Sequence, residues 1–354
     1  MKPFLTIRQS SATYPVFVGR DLISQIGAIL EPKNRVFVIT STALRQRFGE
    51  AVARSLGAAD ADLLTIEEGE SHKTLHTANG VITQLLDRGA KRDSMAVVVG
   101  GGMIGDTAGF AASIFLRGIA LVHVPTTLLA QVDSSIGGKL AVNHEKGKNL
   151  IGSFYPPRAV IADAAVLDTL PPRERLSGMY EALKGGIIGD PELFAMFEQP
   201  SFDMEEMVRR AIRVKAKVVS ADEKEQDVRR LLNYGHTIAH GIEAALRYEG
   251  LTHGEAVAWG MIGANAIAVR RGLIGPSDAA RIERAIRVHH PSVPPPLDRR
   301  EVAAATEHDK KNTGNARVMV FPRRVGECVV VADVTEEEIA YGIDAALDGA
   351  AESS

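Results

Sequence analysis

At 354 residues the chain is too long for one ordinary core. Its 45% hydrophobic and 24% charged residues are those of a globular protein, with two domains as the natural expectation. A formal charge of −3 supplies no global basic field, so neither nucleic acid nor a membrane surface is an expected partner.

The N-terminal stretch MKPFLTIRQSSATYPVFVG has no leader-like apolar segment. No run approaches the ~20 apolar residues of a membrane span, and the cytoplasm is the expected setting. RVFVIT (35–40), SMAVVVGG (94–101), IALVHVPTT (119–127) and AVIADAAVL (159–167) read as strands. Helical patterns such as TLHTANGVITQLLDRG lie between them, and this alternation predicts a parallel α/β sheet. The character changes at LDTLPPRERLSG (167–178), where Pro171-Pro172 stops one element and opens another. From there to about residue 290 the chain reads as successive amphipathic helices, MEEMVRRAIRVKAKVVSADEKE and GEAVAWGMIGANAIAVRRG among them. HHPSVPPPLD (289–298) is a connector. ARVMVFP and GECVVVADV then read as a hairpin-like pair before a last helix. The single cysteine, Cys328, excludes a disulfide framework and a multi-cysteine metal centre; in its apolar run it reads as a buried structural thiol. The expected architecture is an α/β domain over residues 1–170 and a mainly α-helical domain over 171–354, with the site in a cleft between them.

In VVVGGGMIGDTAGFAASIF, Gly100, Gly102 and Gly105 satisfy G-x-G-x-x-G between a strand and a helix, a turn that lets backbone N–H groups approach a pyrophosphate. About twenty residues on, where a Rossmann fold places an acid for the ribose, VHVPTTLLAQ has none. The turn therefore suits a nucleotide on a non-classical Rossmann-like sheet, with Asp106 as the nearest acid for a nicotinamide ribose.

LLNYGHTIAHGIEAALRYEGLTHGEAVAWG (231–260) holds three of the ten histidines. His236 and His240, four apart, share one helix face and can bind one ion, but Thr237 stands where a zinc protease carries its Glu. His240 fits either a ligand or an acid/base beside a metal. Catalytic zinc commonly takes three protein ligands, and a carboxylate is the expected third. SGMYEALKGG (177–186) offers Glu181, with Lys184 one turn away. Lys139, Lys148 and Asn149 lie in a glycine-rich stretch suited to an anion, and Lys215, Arg229, Asn233, Lys310 and Lys311 in further polar stretches. A phosphate- or carboxylate-bearing ligand is implied.

Taken together, GGGMIGDTAGF, FLRG, PTTLLAQVDSSIGGKLAVNHEKGKNLIGSFYPP, TLPPRERLSGMYEALKGGII, LLNYGHTIAHGIEA and HGEAVAWGM, with HDKKNTG more loosely, make the chain resemble the 3-dehydroquinate synthases over nearly its whole length. The resemblance implies an NAD-binding α/β domain, a helical metal-binding domain and a homodimer. It implies Glu181, His236 and His253 as ligands of Zn²⁺ or Co²⁺, and His240 in proton transfer beside the substrate phosphate. NAD contacts fall on Glu70, Lys73, Gly102, Met103, Ile104, Gly105, Asp106, Thr126, Thr127, Lys139, Lys148 and Thr169. Substrate contacts fall on Asp133, Lys139, Asn149, Lys184, Lys215, Arg229, Asn233 and one or both of Lys310 and Lys311, with Arg117 reaching the partner subunit's phosphate site. Two departures stand out. Ser41 occupies the position where such sequences often carry an acid or amide for the adenosine ribose, and EALKGG replaces the usual EVIKYG.

The implied activity converts 3-deoxy-D-arabino-heptulosonate 7-phosphate, a phosphorylated keto acid, into 3-dehydroquinate and phosphate, by transient NAD oxidation, elimination, reduction and aldol closure. The alternatives are a related sugar-phosphate cyclase, such as an aminodehydroquinate synthase, and a metal-dependent NAD polyol dehydrogenase. The second expects a Lys in the helix after the glycine turn, which GDTAGF lacks.

Overall fold

The computed structural model describes residues Met1–Glu307 and Arg317–Ala351. The chain begins with β1 (Leu5–Arg8), β2 (Thr13–Gly19), α1 (Ile26–Leu30), β3 (Val36–Ser41), α2 (Glu50–Leu56), β4 (Leu63–Ile66) and α3 (Leu75–Asp87). It continues through β5 (Met95–Gly100), α4 (Gly102–Ile114), β6 (Ala120–Pro125), β7 (Lys139–His144), β8 (Gly147–Phe154) and β9 (Ala159–Asp163). Then come α5 (Pro172–Gly189), α6 (Pro191–Met196), α7 (Met204–Ala221), α8 (His236–Ala245), α9 (His253–Arg270), α10 (Pro276–Arg287) and α11 (Arg299–Glu307). A hairpin, β10 (Arg317–Arg324) with β11 (Glu327–Val334), precedes α12 (Glu336–Ala351).

Two compact units result: Met1–Leu170 with Met204–Lys224, and Pro171–Asp203 with Glu225–Ser354. This differs from the single cut expected after residue 170, because α7 packs with the first unit. It lies on β1, β2 and the turn Ala130–Ser134, and Arg209 Nη2 donates to the Val18 carbonyl at 2.7 Å. Sequence order hides this, since α7 is amphipathic like the helices on either side of it.

The first unit carries a seven-stranded sheet in the order β1-β2-β9-β6-β5-β3-β4. Only the β1–β2 pair is antiparallel; the other pairs are parallel. β3 and β9 are buried at every residue, as strands covered on both faces must be, so β-branched runs dominate them. The glycine-rich stretch that carries Lys139, Lys148 and Asn149 forms the β7–β8 hairpin. β7 buries alternate residues, Leu140 and Val142, in the cluster that also holds α4.

In the second unit α9 is central, packing against α5, α8, α10 and α12. Fourteen of its residues are buried, Trp259 fully, and this all-round burial marks a core helix. Cys328 is half-buried on β11, with Sγ 3.7 Å from the Ile187 carbonyl.

Candidate active-site clusters

His236 and His253 are each the first residue of a helix, α8 and α9. The α9 start is fixed by a capping box. Thr252 Oγ1 accepts from the Glu255 backbone N–H at 3.4 Å, and Glu255 Oε2 accepts from the Thr252 N–H at 2.8 Å. Arg173 of α5 pairs with the fully buried Glu255 at 2.8 Å, tying α9 to α5 beside His253. A side-chain carbon on Gly254 would stand 2.0 Å from the Ser177 carbonyl oxygen, so only glycine lets α9 approach α5 this closely. Gly260 plays the same part against α8, where a Cβ would lie 2.1 Å from the Gly235 oxygen.

These approaches bring three side chains together. Glu181, His236 and His253 offer ligand atoms that all lie within 4.8 Å of one another; His240 is not in the group. Glu181 Oε1 is 3.7 Å from His236 Nε2 and 3.5 Å from His253 Nε2. His236 Nδ1 faces the Tyr234 carbonyl at 3.2 Å, and His253 Nδ1 faces Glu243 Oε1 at 3.4 Å. With the Nδ1 side taken by these acceptors, each ring presents Nε2 toward Glu181, the orientation a metal ligand needs once that nitrogen is free of its proton. Burial works against charge on His253, but the Glu243 and Glu181 carboxylates outweigh it and raise its pKa to about 10. The same negative field favours a divalent cation in place of that proton. Buried Lys184 pairs with Glu181 one turn along α5. His240 is exposed, its ring centroid 5.4 Å from His236 and 6.4 Å from His253. Two histidines and a carboxylate suit zinc or another divalent transition ion. Sequence spacing alone does not single out Glu243, a carboxylate at i+3 from His240 on the same helix.

The first unit holds the glycine turn between β5 and α4. Side-chain carbons on Gly100 and Gly101 would stand 2.6 Å from Ile104 and 2.9 Å from Thr127, so the strand end, the helix start and Thr127 close on one another as a phosphate cradle requires. Gly102, Met103, Ile104, Gly105 and Asp106 form the first turn of α4. Lys73 Nζ pairs with Asp106 at 2.6 Å; burial pushes the Asp106 carboxyl up while Lys73 opposes this. Glu70 accepts from Asn143 Nδ2 at 2.8 Å, and Asn143 Oδ1 accepts from the Asn149 N–H at 2.9 Å, which joins the Glu70–Lys73 turn to the β7–β8 hairpin. Thr126 donates its N–H to Gly100 O at 3.0 Å, and Thr127 Oγ1 accepts from Ala130 N at 3.2 Å. Thr169 ends the turn Ala164–Thr169, its hydroxyl on Val166 O at 2.8 Å.

The anion-binding candidates divide between the units. Lys215, buried on α7, pairs with Asp133, and exposed Lys139 and half-buried Lys148 lie on β7 and β8. Asn149 is left-handed at φ 54°. In the second unit Arg229 is almost wholly buried and Asn233 Nδ2 donates to Glu225 at 2.6 Å. Arg117 is exposed at φ 71°, next to Leu116 at φ 50°. Lys310 and Lys311 lie outside the described residues.

The fold and these clusters define a class: proteins that join a dinucleotide-type parallel sheet to a helical unit with a two-histidine, one-carboxylate cluster able to hold a metal. Family models described as 3-dehydroquinate synthase N-terminal and C-terminal match residues 63–177 and 178–312. A 3-dehydroquinate synthase of Koribacter versatilis (strain Ellin345) is 39% identical over 96% of both chains. The chain belongs to the 3-dehydroquinate synthase family. Among solved structures, a 2-deoxy-scyllo-inosose synthase complexed with carbaglucose-6-phosphate, NAD⁺ and Co²⁺ matches at a TM-score of 0.86 and 29% identity, over 96% of this chain and 98% of that one. ValA, a 2-epi-5-epi-valiolone synthase of Streptomyces hygroscopicus subsp. jinggangensis 5008 with NAD⁺ and Zn²⁺ bound, matches at 0.83 and 29%, over 97% and 98%.

Proposed function

We propose that the chain is a 3-dehydroquinate synthase of the shikimate pathway, using NAD and a divalent ion, Zn²⁺ or Co²⁺, to convert 3-deoxy-D-arabino-heptulosonate 7-phosphate into 3-dehydroquinate and phosphate. One observation carries this reading: the Glu181–His236–His253 cluster stands on a chain whose two halves both match this family.

When bound, NAD would supply the removal and return of one hydride at a ring carbon, and the ion would supply Lewis acidity. The protein does the rest. Glu181, His236 and His253 hold the ion, and Lys184, paired with Glu181, offsets carboxylate charge and offers N–H donors to the substrate. The cradle of Gly102–Asp106 with Thr126 and Thr127 receives the pyrophosphate. Glu70, Lys73, Lys139, Lys148 and Thr169 complete the NAD site. Asn149, Lys215, Arg229 and Asn233 orient the substrate's carboxylate and phosphate, and Asp133, paired with Lys215, accepts from its hydroxyls, so that the reaction is served by positioning. While the ring carbonyl exists, the adjacent C–H is acidic. Its proton passes to a base beside the phosphate, the C–O bond breaks, and phosphate departs with the bonding pair. His240, exposed and next to the ligand histidines, manages that proton. After the hydride returns, ring opening and an intramolecular aldol form the carbocycle, with no net redox change.

A homodimer is part of the reading. Ser113 and Ser153 hydroxyls meet at 2.8 Å, and their chain neighbours Ile114 and Phe154 are exposed apolar residues, as is Leu116 beside Arg117. This face suits a second copy of the chain, to whose phosphate site Arg117 would reach. Among the described residues no helix is long and apolar enough to cross a membrane, in keeping with a cytoplasmic setting.

The test follows inorganic phosphate and 340-nm absorbance together, with substrate in large excess over NAD. Phosphate far beyond the NAD supplied, without lasting NADH and with 3-dehydroquinate as product, is expected. NADH rising one-for-one with substrate would make the chain a dehydrogenase, and a different carbocycle would make it another cyclase.

A further inference from the structure

The turn between α4 and β6 holds its residues in a costly backbone conformation. Leu116, Arg117 and Gly118 follow one another at φ 50°, 71° and 110°. The left-handed region is easy for glycine and unfavourable for a residue with a Cβ, so two such residues in succession persist only where the surroundings hold them. Within the turn, Gly118 N–H donates to Phe115 O at 2.8 Å and Ile119 N–H to Ala112 O at 3.1 Å. Arg117 is exposed, and among the described residues its guanidinium makes no hydrogen bond or ion pair. The backbone of the turn therefore decides where this cation stands.

One side chain grips that backbone from outside the turn. Tyr155 follows β8, and its hydroxyl donates to the Ile119 carbonyl at 2.8 Å. A Cβ on Gly118 would stand 2.8 Å from that hydroxyl oxygen and 3.0 Å from a ring carbon, so the phenol lies directly against the residue after Arg117. Tyr155 is itself fixed at its backbone. Lys139 pairs with Phe154 in the β7–β8 ladder, and one step further the Tyr155 N–H donates to Gly138 O at 2.8 Å. Gly138 is left-handed at φ 67°, and a Cβ there would lie 2.9 Å from Pro156 N. The half-buried ring packs on the core cluster that includes Phe115 and Ile119, and burial pushes the phenol pKa up, so the hydroxyl keeps the proton it donates. We propose that Tyr155 is a positioning residue for Arg117: its hydroxyl and ring hold the left-handed turn in place, and with it the guanidinium that meets the substrate phosphate in the partner subunit's site. The same residue ties the turn to the hairpin carrying Lys139, Lys148 and Asn149, so these anion contacts and Arg117 share one support. The inference rests on the reading of Arg117 given above.

Steady-state kinetics of the purified full chain with NAD, metal and 3-deoxy-D-arabino-heptulosonate 7-phosphate tests it, across wild type, Tyr155→Phe, Arg117→Ala and the double variant. Tyr155→Phe removes the hydroxyl and keeps the ring. It should lower kcat/KM about 3- to 10-fold, the size of one neutral hydrogen bond, and weaken inhibition by inorganic phosphate by a similar factor. Arg117→Ala should lose about 10²-fold, because a charge-assisted phosphate contact goes. In the double variant Tyr155→Phe should add nothing to that loss, since a residue acting through Arg117 has nothing left to position. Metal content and NAD affinity should stay at wild-type values throughout, which a general loss of packing would not allow. Tyr155→Phe with wild-type kinetics, or with a full further loss on the Arg117→Ala background, would overturn the assignment. Arg117→Ala with wild-type kinetics would overturn the reading of Arg117, and a wild type that releases no phosphate would overturn the proposed function; either takes this assignment with it.

Discussion

The glycine turn and the metal cluster are both small polar sites, built by opposite means. The turn uses consecutive residues, Gly100 to Asp106, and presents mostly backbone. The cluster draws single side chains from α5, α8 and α9, whose approach depends on Gly254 and Gly260 meeting carbonyl oxygens of other helices. A local turn tolerates small shifts elsewhere in the unit. A cluster from three helices depends on every packing contact between them, so damage to its supports should appear as lost metal.

The largest effect is expected at the ligands themselves. His253→Ala removes one of three donors from the cluster and should leave purified protein without stoichiometric metal after dialysis, with turnover abolished. NAD binding, proposed for the other unit, should persist. Full metal retention would mean that the three residues are not the ligand set.

Next comes His240. Its ring neighbours two of the candidate ligands yet lies outside their cluster, so His240→Ala should keep metal and NAD and lose about 10²–10⁴-fold in turnover. Metal loss in this variant would restore the i, i+4 pair as the chelator.

The two sites also differ in how much of them can be read from sequence. β3, β5, β6 and β9 are legible because strands buried on both faces are continuous β-branched runs. β7 and β8 are not, because their glycines and exposed polar residues resemble a loop and only alternate β7 residues reach the core. The capping box before α9 is visible as Thr252-His-Gly-Glu255. Glu243 is not, since its partner His253 lies beyond a turn whose path only the fold defines. The assignment of α7 to the first unit is invisible for the same reason: amphipathic periodicity gives a helix its buried face but not the surface that face meets.

Glu243 sharpens the contrast. His236 is oriented by a backbone carbonyl, His253 by an ionisable side chain, so only the second can be weakened without moving the chain. Glu243→Gln should lower metal affinity by about 10–100-fold, the usual cost of losing such an outer partner. Competition with a chelator measures it. At saturating metal, turnover should recover most of its wild-type value; unchanged affinity would leave Glu243 a bystander.

The smallest expected effect probes the turn. A methyl group on Gly101 would sit 2.9 Å from Thr127 Cγ2, but 3.5 Å from its Oγ1 and 3.9 Å from its Cβ. The obstacle is therefore one side-chain methyl and not backbone, unlike the carbonyl oxygen facing Gly254. Gly101→Ala should be relieved by a slight rotation or shift of Thr127, at the expense of the hydroxyl that accepts from Ala130 N–H. NAD affinity should fall severalfold, with metal content unchanged. Thr127→Ser deletes the offending methyl and keeps the hydroxyl, so the double variant should regain most of the lost affinity. Coupling of this kind is expected between side chains in direct contact and absent between distant ones. If Gly101→Ala weakens NAD and Thr127→Ser gives no rescue, the loss comes from the backbone amide geometry of the cradle; if Gly101→Ala has no effect, the cradle does not hold the cofactor at Gly101. Gly254→Ala, whose clash is with backbone, should find no such rescue from any single side-chain trimming at Ser177.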